Sequence, residues 1–163
     1  MSRRTKHIIA IFELVFLIAI VAFALCPRTL GQALGRGFDW ESTSHVLVQL
    51  DNLGPEKIST DLTLSPGEDA CQQVIDQLTS VRYTPVYLDS SNDSTEAAGE
   101  RITVFFVQND GTKRGLRLSR DSSVVWFFGD DRRDKSYHAG HWETFWPETY
   151  GLLTALAAPS GLS

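Results

Sequence analysis

Cysteine is nearly absent: Cys26 and Cys71 are the two thiols in 163 residues, too few for a disulfide framework. Cys71 shares helical spacing with Val74, Ile75 and Leu78. It reads as a buried small hydrophobe, a setting in which the thiolate is disfavoured. Catalytic motifs are lacking as well. No G-x-S-x-G occurs, and glycines 31, 35 and 37 match neither a dinucleotide fingerprint nor a phosphate loop. Nucleophilic catalysis therefore has no support, no residue is predicted to be catalytic, and no cofactor is called for. Basic charge is scarce beyond the first segment. Residues 1–36 carry a net +4 and the whole chain −5, leaving −9 for residues 37–163. That balance argues against nucleic acid, and against an anionic lipid surface, as the partner of the acidic part.

One long apolar run is present. Ile8–Leu25 is interrupted only by Glu13, and Pro27 ends it. At 1.5 Å per residue these positions span about 27 Å, just enough for a hydrocarbon core of roughly 30 Å. Arg3, Arg4 and Lys6 precede the run and only Arg28 closely follows it. The positive-inside bias thus puts the N-terminus in the cytoplasm and the bulk of the chain outside. Glu13 lies within two turns of the cytoplasmic end, where it can reach toward headgroups or Lys6. The segment reads as a single-pass signal-anchor. The alternatives are secretion after cleavage near Ala24, because Ala22-Phe23-Ala24 supplies an A-x-A site, and a lipoprotein using Cys26, which the bulk of Leu25 opposes.

The expected organisation is a membrane segment over 1–26, a Pro-, Gly- and Arg-containing linker over 27–43, an extracytoplasmic domain over 44–158 and a tail over 159–163. Within the domain, Val46, Val48 and Leu50 alternate, and Ile58, Thr60, Leu62 and Leu64 follow a turn at Asp51–Pro55, predicting a hairpin. Ser65-Pro66-Gly67-Glu68 reads as a capped helix start, with Pro66 at the first helical position. The helix carries Cys71, Val74, Ile75 and Leu78 and ends near Ser80. Pro85 forces extended backbone at Thr84.

Residues 89–100 are polar and read as a mobile loop. Ile102–Gln108, apolar on both faces, reads as a central strand. Asn109-Asp110-Gly111 turns it into a strand with Leu116 and Leu118, followed by Val124–Phe128, a charged loop and a short strand at Tyr137. Pro147 is expected to open a last helix bearing Tyr150, Leu153 and Leu156. The order ββ-α-ββββ-α predicts an α+β fold in which two helices pack on one face of an antiparallel sheet. Lys113, Arg114, Arg117 and Arg120 read as a solvated strand face.

In element order and turn chemistry, Ile58–Leu156 resembles small domains of unknown function in secreted or membrane-tethered proteins of Gram-positive bacteria. The shared features are the capped helix ending in Val74-Ile75-x-x-Leu78, the Asp110-Gly111 turn, the tyrosine strand at Tyr137 and the Leu-rich last helix. The resemblance implies a bacterial accessory or sensing role and brings no catalytic residues with it.

Two clusters are chemically suggestive. His138, His141 and Glu143 would supply three zinc ligands if a turn at Ala139-Gly140 brought them together. That defines the rival reading, a metal-dependent hydrolase. Asp130, Asp131 and Asp134 are opposed as a calcium site by the interleaved Arg132 and Arg133. Tyr137, Trp142, Phe145, Trp146 and Tyr150 form an aromatic cluster that is either core, joined by Trp126 and Phe128, or a groove whose binding surface would include Tyr137, Trp142 and Trp146. The expected function is a membrane-tethered binding or sensing domain without catalysis, its partner an unidentified protein or cell-envelope ligand.

Overall fold

Alternating apolar residues build the sheet. In the computed structural model, which describes residues 3–52, 58–86, 99–130 and 134–158, Val46 and Val48 of β1 (Thr43–Asn52) pair with Leu64 and Leu62 of β2 (Ile58–Leu64). Opposite residues of an antiparallel pair share a face, so the side chains meet as the period-two pattern requires. The mobile loop expected at 89–100, the turn at 51–55, the charged loop after Gly129 and the tail 159–163 lie wholly or partly outside the described residues.

The remaining strands are β3 (Tyr83–Pro85), β4 (Glu100–Gln108), β5 (Lys113–Ser119), β6 (Ser122–Gly129) and β7 (Lys135–Ala139). They form one seven-stranded antiparallel sheet in the order β2-β1-β4-β5-β6-β7-β3. β4 is interior, as its two-sided hydrophobicity predicts. Gly111, at φ +85°, closes the β4–β5 turn. Its N–H donates to the Gln108 carbonyl, and the Thr112 N–H donates to the Asp110 carboxylate at 2.9 Å. That bond holds the Asp110 carboxyl below the usual range.

Among the described residues there are four helices: α1 (Arg3–Ala24), α2 (Leu30–Leu34), α3 (Asp69–Thr79) and α4 (Trp142–Ala157). Within α1, His7–Ala24 is long and apolar enough to cross a membrane, and none of it is buried inside the protein. The buried side chains of α2, α3 and α4 share one cluster with Val48, Val104, Leu116 and Phe127 of the sheet. The fold is therefore α+β with α2, α3 and α4 on one sheet face.

Four local expectations need correcting. Residues 27–43 are not a free linker. Thr29 and Gln32 form a capping box around α2, and Leu30, Ala33 and Leu34 are completely buried. Phe38 and Trp40 stack edge-on against Phe106, with centroids 5.6 and 5.4 Å away. Second, Arg114 is no solvated strand residue. It is 6% exposed and its Nη1 donates to the Arg36 carbonyl at 2.9 Å, just past the end of α2.

Third, Pro66-Gly67 forms a turn rather than a first helical turn. Gly67 has φ +90° and the Glu68 N–H donates to the Ser65 carbonyl, the left-handed position a Pro-Gly turn requires. The helix starts at Asp69, although Glu68 still accepts from the Ser65 N–H at 3.1 Å. Fourth, α4 begins five residues before Pro147. The His141 carbonyl accepts from the N–H groups of Thr144 and Phe145, and burial of Phe145 and Trp146 offsets the one helical hydrogen bond that Pro147 removes.

Tyr83 ties strands to helices. Its ring is completely buried against Phe127, and its hydroxyl donates to the Leu78 carbonyl at 2.7 Å, near the end of α3. Burial raises its phenol well above the ordinary value.

Candidate recognition surface

The strands that bury Val104, Leu116 and Phe127 on one face must present their alternate residues on the other. The pairing register aligns those residues in rows. One runs Leu47, Phe105, Gly115, Phe128. The next runs Gln49, Thr103, Arg117, Trp126, Ser136. Phe105, Arg117, Trp126 and Phe128 are all half-buried. The buried apolar side chains of α2, α3 and α4 lie in the cluster on the opposite face.

Gly115 is the floor of this surface. Phe105 and Phe128 close over it edge-to-face, with centroids 5.3 Å apart. A Cβ at Gly115 would stand 2.5 Å from the Val104 carbonyl oxygen and 2.8 Å from Cζ of Phe128. The ring can rotate away, but the backbone oxygen of a central strand cannot. Gly115→Ala is therefore expected to destabilise the domain by about 3 kcal/mol, the upper end of the usual overpacking cost. Urea unfolding checks this: a midpoint equal to that of the wild type would show that the strand can yield.

Beside the rings, the Arg117 guanidinium carbon lies 5.8 Å from the Phe128 centroid. Its Nε is buried without a hydrogen-bond partner, and among the described residues it makes no ion pair. A guanidinium held by ring contact and unmatched by a carboxylate suits an incoming carboxylate or phosphate.

The predicted site residues fare differently. Tyr137 (2% exposed) and Trp146 (7%) are core, so neither offers a binding surface. Trp142 and Tyr150 are half-buried beside Trp146, with centroids 5.5 and 5.8 Å from it. Trp126 and Phe128 do not join that core; they lie on the opposite face. His138, His141 and Glu143 are all exposed. The His138 ring meets the Ser123 hydroxyl at 3.1 Å, while His141 sits in the left-handed position at the start of α4. Among the described residues, no three His, Cys, Asp or Glu side chains stand close enough to hold a metal.

Of the calcium candidates, Asp131 is outside the described residues, and Asp130 instead accepts from the Lys113 N–H at 3.0 Å. Cys71 is buried on α3. Burial first, and the Glu68 charge second, push its thiol up, which disfavours the reactive thiolate. Cys26 is an exposed free thiol.

The open-face residues carried a visible signal, the aromatic and basic positions of alternating strands. Only the register shows that they stand side by side. No known family model, curated protein or solved structure matches the chain.

Proposed function

We propose that the chain is a single-pass, membrane-anchored domain that works outside the cytoplasm as a recognition module, without catalysis, and that the open sheet face is where it binds. The observation that carries this reading is the pair Phe105 and Phe128 in one row and Arg117 and Trp126 in the next, with the half-buried Arg117 guanidinium against the Phe128 ring. Flat aromatic surface and an available guanidinium are the groups that dominate binding energy in protein interfaces. The partner is a protein or cell-envelope component that presents an acidic group next to apolar surface. The apolar His7–Ala24 helix and the basic Arg3, Arg4 and Lys6 ahead of it support anchoring with the domain outside; secretion after cleavage near Ala24 is the alternative. The resemblance in element order to Gram-positive envelope domains fits the same role.

A photo-crosslinking amino acid at Trp126, on the open face, should give a discrete adduct in living cells. The same probe at Gln73, exposed on α3, should not. Adding Arg117→Glu should reduce the Trp126 adduct about tenfold or more, equivalent to losing about 1.4 kcal/mol of binding. Equal labelling from both positions, or indifference to Arg117→Glu, would contradict the proposal.

A further inference from the structure

The membrane helix and the sheet are joined almost without slack. The Leu25 N–H donates to the Val21 carbonyl and the Cys26 N–H to the Phe23 carbonyl, so helical hydrogen bonding runs to Cys26. Two residues later, Arg28 forms an antiparallel bridge to Tyr83, with N–O distances of 2.8 and 2.9 Å. Only Pro27 intervenes. Two residues of extended chain reach at most about 7 Å, and the bridge adds one strand spacing of about 4.8 Å.

The span itself is short. Its 18 residues rise about 27 Å against a hydrocarbon core of roughly 30 Å, and a short span is accommodated by local thinning of the bilayer and by flanking residues reaching to the interface. Each polar headgroup layer is only about 5–7 Å thick, so Arg28 falls within it and Tyr83 lies no more than about one strand spacing beyond.

The chemistry of this corner matches that position and differs from the rest of the domain. Segments 25–32 and 80–86 contain Arg28 and Arg82 and no carboxylate, within a chain whose residues 37–163 total −9. The Gly140 N–H donates to the Arg82 carbonyl at 2.9 Å. This places the start of α4, with exposed His141 and half-buried Trp142, beside the same edge; Glu143 is the one acidic residue in that turn. Arginine and tryptophan are the side chains that settle at a bilayer interface.

We infer that the β3 edge of the sheet, with Arg28, Arg82 and Trp142, is seated in the phospholipid headgroup layer, so that the sheet stands edge-on and its open face points sideways along the membrane. This rests on the reading of α1 as an uncleaved span. It implies that the recognition face meets partners lying in or close to the membrane.

The test uses the full chain reconstituted in vesicles of phosphatidylcholine and phosphatidylglycerol containing a headgroup-nitroxide lipid. A fluorophore is placed on native Cys26, or on Arg82→Cys or Asp61→Cys in a Cys26→Ser background. Asp61 is exposed on β2, the opposite edge of the sheet, six strand spacings or about 29 Å away. Strong quenching at Cys26 and Arg82→Cys, several-fold above Asp61→Cys, is expected. Quenching at Cys26 with Arg82→Cys no deeper than Asp61→Cys would overturn the edge-on seat while leaving the span intact. No quenching at Cys26 would overturn the span, and the seat with it.

Discussion

Residues 27–163 should fold and melt cooperatively, whereas residues 44–163 should not fold at all. The shorter chain begins where alternation in β1 begins and looks complete by pattern, yet it lacks α2. Leu30, Ala33 and Leu34 are completely buried and Phe38 packs against the same cluster. Truncating one buried leucine costs about 2–5 kcal/mol. Losing Leu30 and Leu34 together approaches the roughly 5–15 kcal/mol that stabilises a whole domain. Removing this segment also takes away the Gly35 and Arg36 carbonyls to which the buried Arg114 donates, and a buried cation that loses hydrogen-bond acceptors is costly. Heteronuclear NMR of both fragments reads the outcome. Dispersed amide resonances from 44–163 would show that α2 is peripheral.

Trp146→Ala should be among the most damaging single substitutions in the domain. Trp146 is 7% exposed and stacked between Trp142 and Tyr150, lying 22° from the Tyr150 ring plane. A buried aromatic truncated to alanine costs on the order of 3–5 kcal/mol, which for a domain of this size lowers Tm by on the order of 10–20 °C. The same ring in a solvent-filled groove would lose binding and leave Tm nearly unchanged. A thermal melt of residues 27–163 separates the two, and a shift of a degree or less would return Trp146 to the surface.

What the sequence made legible follows the reach of its signals. The β1–β2 hairpin and the β4–β5–β6 meander were readable because each strand is long enough to show alternation and each turn has its own chemistry, Asp110-Gly111 above all. β3 was not readable, since its three residues are too few to establish a period and only extended backbone before Pro85 was apparent. α2 was missed for a related reason. Five residues are too few for a helical stripe, although Thr29 and Gln32 spell a capping box and Leu30, Ala33 and Leu34 recur at i, i+3 and i+4.

Pro147 misled because proline marks a first turn only when nothing upstream can begin the helix. Here His141 takes the left-handed conformation and starts it earlier. The site was the least legible part. Phe105, Arg117, Trp126 and Phe128 come from three strands, and assigning them to one face needs the pairing of β4 with β5 and of β5 with β6, which no local pattern reveals. Hydrophobicity alone placed Trp126 and Phe128 in the core, because strand parity could not be tied to a common face without the pairing.

Recognition at the open face requires that the membrane place the domain outside the cytoplasm, with Arg3, Arg4 and Lys6 within. Protease added to spheroplasts carrying the full chain with a C-terminal epitope addresses this directly. The epitope and the domain should be degraded while a cytoplasmic marker survives, and a membrane-retained fragment containing α1 should remain. A domain that stays intact until the membrane is dissolved would contradict the topology, and with it the proposed function.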